Sequence, residues 1–216
     1  MSLFAENNTG GSFKPVPAGM HLARCYRIID LGTQKSEFEG NVKFVRKIKF
    51  VWEVHGTDDS GEPIVTDKGE PFVITKDYTL SWGEKANLRK DLEAWRGKPF
   101  SADEQRRFDI KNVLDKFCMI NVQHKPKRTG DGVYANIVNV TPVPAALKGS
   151  MPAGFNKAQM FTLGEPDMDM FETFSDYLKT QIKESPEWKA LFSPKNEPKS
   201  NQKGAYDDFG DDEVPF

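Results

Sequence analysis

Asn41-Val-Lys-Phe-Val-Arg-Lys-Ile-Lys-Phe-Val-Trp-Glu-Val54 alternates apolar and polar side chains with a period of two. Val42, Phe44, Ile48, Phe50, Trp52 and Val54 fall on one face and Lys43, Lys47 and Lys49 on the other, the pattern of a strand with one face on a core and one in water. Arg46 interrupts the apolar face. A lone ribbon of this kind is marginal in water, so the flanking sequence must supply further strands and a cover for the apolar face.

Upstream, Met20 to Leu31 is rich in strand formers and is punctuated by Gly19 and Gly32, which predicts a first strand followed by a polar loop from Gly32 to Gly40. Downstream, His55 to Pro71 repeats Asp, Gly and Pro. It reads as a long excursion with turns at Asp58-Asp-Ser-Gly61 and Asp67-Lys-Gly69 and a short hairpin around Pro63 to Thr66. Phe72 to Leu80 is the third strand. Ser81 with Glu84 reads as a capping box, and Leu88, Leu92 and Trp95 recur at helical spacing until Gly97 and Pro99, predicting an amphipathic helix over 83–96. Ser101 with Glu104 caps a second short helix reaching Phe108. Phe117 to His124 and Val133 to Val143 are strands four and five, joined by the basic turn Lys125-Pro-Lys-Arg-Thr-Gly-Asp-Gly132.

Three strands, a helix and two more strands is the element order of the oligonucleotide-binding (OB) fold, a five-stranded Greek-key barrel with its helix between strands 3 and 4. The expected organisation is a mainly β chain. A flexible arm covers 1–15, the OB domain 16–145, a loop and helical extension 146–192, a linker 193–205 and an acidic tip 206–216. In the extension, Phe155, Met160, Phe161 and Leu163 are expected to lie on the barrel. Met170, Phe171, Phe174, Tyr177, Leu178 and Ile182 form a helical stripe, read as core or as a contact between protomers, and Ser185-Pro-Glu-Trp188 starts another helix.

In an OB barrel the second and third strands and the first and last hairpin loops carry the ligand. The cations expected there are Lys43, Arg46, Lys47, Lys49, Lys76, Lys125, Lys127 and Arg128. Binding single strands without reading sequence takes cations along the phosphates and flat side chains under the bases. Phe44, Trp52, Tyr78, Trp82 and Tyr134 are candidate platforms, and for each the alternative is a place in the core.

The 216 residues carry a net charge of −2 that is unevenly divided, with 23 Lys and Arg against 19 Asp and Glu in residues 1–150 and five carboxylates in the last eleven residues. Mean hydropathy is −0.61, and no apolar run has the length of a signal or a membrane span, so a soluble cytoplasmic protein is expected. Cys25 and Cys118 lie in strand-like apolar sequence, where a free Cys behaves as a small core residue. His21, His55 and His124 lack partners at zinc spacing, no phosphate-cradling loop or triad occurs, and Asp58-Asp59 and Asp207-Asp208 read as solvated carboxylates. No catalysis, cofactor or metal is expected.

The tip, Tyr206-Asp-Asp-Phe-Gly-Asp-Asp-Glu-Val-Pro-Phe216, sets apolar groups after acids, which suits insertion into a partner's pocket. Asp211, Asp212, Glu213, Val214, Pro215 and Phe216 resemble the acidic C-terminal tip of bacterial and phage single-stranded DNA-binding proteins. The runs Leu88-Arg-Lys-Asp-Leu-Glu-Ala-Trp-Arg-Gly97, Lys116 to His124 and Tyr134 to Pro142 are similar to phage and prophage members of that group. The resemblance implies an OB barrel that protects single-stranded DNA in replication and recombination and recruits partner enzymes through its tip. The long loop after strand two and the helical region 166–192 depart from the standard bacterial protein, so a monomer or homodimer is expected rather than the usual tetramer. Strand annealing and RNA binding remain as alternatives.

Overall fold

The computed structural model describes residues 14–38, 40–58, 60–128 and 132–192. The rest of the expected arm, the linker 193–205 and the tip 206–216, with Asp211, Asp212, Glu213, Val214, Pro215 and Phe216, lie outside the described residues.

The protein is mainly β. Strands β1 (Gly19–Phe38), β2 (Asn41–His55), β3 (Val73–Thr79), β4 (Lys116–Pro126), β5 (Val133–Thr141) and β6 (Gln159–Phe161) form one sheet, accompanied by short helices. The hydrogen-bonded order is β3-β2-β1-β4-β5, all antiparallel, and β6 adds to β1 in parallel. No ladder joins β3 to β5, yet the two run close to each other, and α1 (Asn87–Arg96) packs on both.

Alternation along β2 sorts its side chains into two cores. Ile48, Phe50, Trp52 and Val54 enter the larger one with Ala23, Cys25, Ile28, Ile74, Tyr78, Leu88, Leu92, Trp95, Cys118 and Ile120. Each large side chain withdrawn here contributes roughly 1.5–3 kcal/mol of hydrophobic stabilisation. Val51, on the opposite face, joins Tyr26, Ile29, Leu31, Phe161, Leu163, Phe171, Phe174, Ile182 and Trp188 in a second core. The C-terminal extension thus covers the outer side of β1 and β2 as a second layer.

The first strand does not stop at Gly32. Register shifts at Cys25/Arg27 and Asp30/Gly32 absorb extra residues, and Gly32, at φ 68°, takes a left-handed conformation that costs glycine little. Residues 33–38, expected in a loop, therefore continue in ladder with β2 as far as Phe38 opposite Asn41. Beyond Cys25 the other edge of β1 has lost β4, and it is closed first by β6 and then by Glu187, which accepts from the Thr33 amide at 2.9 Å and its hydroxyl at 2.6 Å.

The helices also depart from expectation in detail. α1 begins at Asn87, not near 83. Ala86 is its N-cap without a side-chain bond, and the Ser81 hydroxyl accepts from Gly83 at 3.4 Å instead of capping the helix. Gly97 ends it in the left-handed conformation. α2 (Ala102–Arg107) carries the Ser101–Glu104 capping box. The apolar stripe from 170 to 182 is divided between α3 (Met168–Glu172) and α4 (Asp176–Lys183), because Thr173 and Phe174 turn back on Met170 and Phe171 and Ser175 caps the next start. Tyr177 then points to solvent, 77 % exposed. α5 (Pro186–Phe192) starts with the Ser185 hydroxyl accepting from Trp188 at 3.2 Å. Met160, Phe161 and Leu163 pack on the sheet, whereas the Phe155 ring is 59 % exposed. Among the described residues, no helix is long and apolar enough to cross a membrane.

Candidate nucleic-acid interface

Trp52 and Tyr78 are fixed in the interior by the same alternation that builds the sheet. Trp52 is 0 % and Tyr78 3 % exposed, the two packing with Phe50 at ring distances of 5.6 and 5.1 Å. The Tyr78 hydroxyl donates to Asp91 at 2.7 Å, and burial, then the neighbouring carboxylate, pushes its phenol far above the ordinary range. Trp82 is half-buried, edge-on to Phe100 and Phe108 at 5.1 and 5.5 Å. Trp52 and Tyr78 therefore offer no free ring face of the kind a base stacks on, whereas Trp82 lines a cleft of about 450 Å3 together with Arg46 and Ile48. Phe44 is the reverse case. It lies on the extended part of the β1–β2 hairpin, beyond the last residue pairing with β3, and is 70 % exposed. Tyr134 is 58 % exposed opposite Lys125, with the Lys127 ammonium 5.6 Å from its ring centre.

The cations divide in a similar way. Arg46 is held by Asp30 at 2.5 Å, Lys76 by Asp91 at 2.6 Å, and Lys49 by Asp77 across the β2–β3 ladder. The hydrogen bonds it donates to Asp30, outweighing burial, raise the Arg46 guanidinium above its ordinary value. Lys76 sits on the inner face beside Phe50, so it does not share a surface with Lys47 and Lys49. Lys43, Lys47, Lys125, Lys127 and Arg128 have no ion pair among the described residues. Lys47 meets Lys85 in a cleft of about 460 Å3, lined also by Thr79, Ser81, Gly83 and Asn87. Lys85 was not singled out in the sequence, because it fell within the helix predicted over 83–96.

A second feature was missed. With Ile120, Val122, Ile137 and Val140 buried in the larger core, the cross-strand pairs Asn121–Asn139, Gln123–Asn136 and Lys125–Tyr134 form an amide-rich ladder on the outer face of β4 and β5. Alternating Asn121 and Gln123 in β4 were the available signal, whereas Asn136 and Asn139 of β5 are three apart and reach one face only through the bulge opposite Asn121 and Val122.

The middle of the outer face is sealed. Glu53, fully buried, accepts from Arg24 Nε at 2.7 Å, His55 Nε2 at 2.9 Å, the Phe155 and Asn156 amides at 2.9 and 2.7 Å, and the Asn156 side chain at 2.7 Å. A carboxylate can only accept, so Nε2 of His55 carries the proton in this contact. Burial pushes the Glu53 carboxyl up, but the guanidinium and the three donors from 155–156 outweigh it, and it stands at about 2 against an ordinary 4.5. Arg24 is completed by Asp115 and the Asn156 carbonyl, and Gly154 lies so close that a Cβ there would meet the guanidinium carbon at 2.0 Å. Of the residues the sequence singles out for binding, those with an exposed ring or without an ion pair lie at the two hairpins and at the Lys47–Lys85 cleft. No protein-family model matches the chain, and no curated protein does.

Proposed function

We propose that the chain folds as an OB barrel, its circle completed where β3 approaches β5 across α1, and that it binds single-stranded DNA largely without regard to sequence. The observation that carries this reading is the exposed Tyr134 ring beside the unneutralised Lys125, Lys127 and Arg128 at one hairpin, while the other hairpin presents exposed Phe44 on one face and unneutralised Lys43 and Lys47 on the opposite face. Rings under bases and cations beside phosphates are what sequence-tolerant single-strand binding requires. The strand order supports the barrel, because those two hairpins are the loops with which an OB fold grips its ligand. The protein acts by binding rather than catalysis, in the host cytoplasm, as a monomer or homodimer, protecting single strands during phage or bacterial replication and recombination. Asp211, Asp212, Glu213, Val214, Pro215 and Phe216 recruit partner enzymes.

Anisotropy of labelled oligodeoxythymidine, with RNA and duplex DNA as competitors, tests the proposal. Tight binding at low salt that falls with salt and resists duplex competition is expected. Absence of binding at low salt overturns the proposal, and stronger competition by matched RNA moves it to RNA.

A further inference from the structure

A cleft of about 610 Å3 opens where α1, the segment after α2, the start of β4 and the chain after β5 meet. It lies at the opposite end of β4 and β5 from the basic hairpin, since Lys116, Phe117, Pro142 and Val143 line it while Lys125, Pro126, Val133 and Tyr134 lie at the other end. Its floor is apolar, from Leu92, Trp95, Phe100, Val113 and Phe117. Its rim is cationic once internal pairs are subtracted. Glu104 and Asp115 also line it, but Glu104 is taken by Arg96 at 2.6 Å and by the Ser101 amide, and Asp115 by Arg24. Lys116 and Lys148 have no ion pair among the described residues. Arg96 lies 4.2 Å over the Phe100 ring with its Nη1 buried and without an acceptor.

The requirement this sets is an acidic segment bearing an aromatic anchor, and residues 206–216 have that chemistry: five carboxylates, no cation, and Tyr206, Phe209 and Phe216. Tyr206 follows Phe192 by fourteen positions, a reach of roughly 45 Å when extended. A folded unit of this size has a radius of gyration of about 16 Å, so the segment reaches any of its faces. We infer that this cleft is the docking site of the chain's own segment 206–216, with an aromatic ring on the Trp95–Phe117 floor and its carboxylates against Lys116 and Lys148. Such docking leaves the two hairpins open and stores the partner-binding residues away from them. It does not depend on whether the hairpins bind DNA.

The test places a photo-reactive benzoylphenylalanine at Met151, on the cleft wall, in the full chain. Irradiation is expected to give monomer-sized products with cross-links mapping to 206–216, reduced at least threefold by Phe209→Ala with Phe216→Ala, and at least threefold by Lys148→Glu. The tail substitutions lie outside the described residues and outside both cores, so they read docking rather than the stability of the sheet. Cross-links absent from 206–216, unchanged by the tail substitutions, or found only in covalent dimers overturn the inference, the last pointing to a second copy. Oligonucleotide affinity measured on the same variants separates this outcome from failure of the proposed function.

Discussion

Arg24 Nε and Glu53 Oε1 stand 2.7 Å apart on directly paired positions of β1 and β2, with side-chain exposures of 5 % and 0 %. Breaking a buried pair by removing one partner leaves the other charge uncompensated, which commonly costs about 3–5 kcal/mol. Glu53→Gln is expected to lower stability by about that amount in urea unfolding. It should also speed hydrogen exchange in the Phe155–Asn156 pair, because a Gln keeps one accepting oxygen and so leaves one of the two amides facing an NH2 instead of an acceptor. Unchanged exchange there would show that the 153–157 segment is held by something else.

The same carboxyl makes stability depend on acid. Its folded value near 2 lies below the ordinary 4.5, so its contribution is fully present above about pH 4.5 and is lost as pH falls toward 2. At about 1.36 kcal/mol per pH unit the span is roughly 3 kcal/mol. The stability gap between wild type and Glu53→Gln should therefore narrow by about 2 kcal/mol, most of that span, between pH 5 and pH 2.5. A gap that stays constant through this range contradicts the assignment.

For the rings, exposure decides the outcome. Phe44→Ala and Tyr134→Ala are expected each to weaken oligodeoxythymidine binding by about 1–3 kcal/mol, with little change in melting temperature. Trp52→Ala empties a fully buried site and should cost about 3–5 kcal/mol of stability instead. Equal melting losses for Phe44 and Trp52 variants would refute this division.

The cations divide by whether a carboxylate already holds them. Reversing Lys43, Lys47, Lys125, Lys127 and Arg128 to Glu should flatten the salt dependence of binding by up to about 0.7 for each phosphate no longer neutralised. Lys49→Gln and Lys76→Gln remove cations already neutralised by Asp77 and Asp91, so the slope should hold. A slope that responds equally to both groups would place the ligand along β2 and β3 rather than at the hairpins.

The strands were legible because alternation and turn residues are local properties. Asn41 to Val54, Phe117 to His124 and the Gly97 stop all sit within a residue or two of their observed places. What alternation could not report was how far the core extends along each strand. Phe44 and Trp52 occupy the same face of β2, but β3 covers only residues 47–53, so one ring is in solvent and the other in the core. The pairing of Lys49 with Asp77, and the closing of the β1 edge by Glu187 at a separation of 154 residues, likewise depend on the assembled sheet. The Ser81–Glu84 motif misled because a capping box guides a helix start only when the chain beyond it is free to turn at once. Here residues 83–86 form a turn first, closed by the Ala86 amide on the Gly83 carbonyl at 2.8 Å.

β1 belongs to three ladders, and this sets a timetable for biosynthesis. Its β2 partner follows at once through the reversal at Gly40, whereas the residue that joins Arg27 from β6, Gln159, is 132 positions later. At about 5–20 residues per second of translation, that interval is on the order of ten seconds. Throughout it Ile29 and Leu31 stand without the Phe161 and Leu163 that cover them in the finished molecule. The early hairpin is thus the segment of the nascent chain with the longest exposure of unpaired edge and apolar surface, and the one whose protection by chaperones would most raise the yield of folded protein.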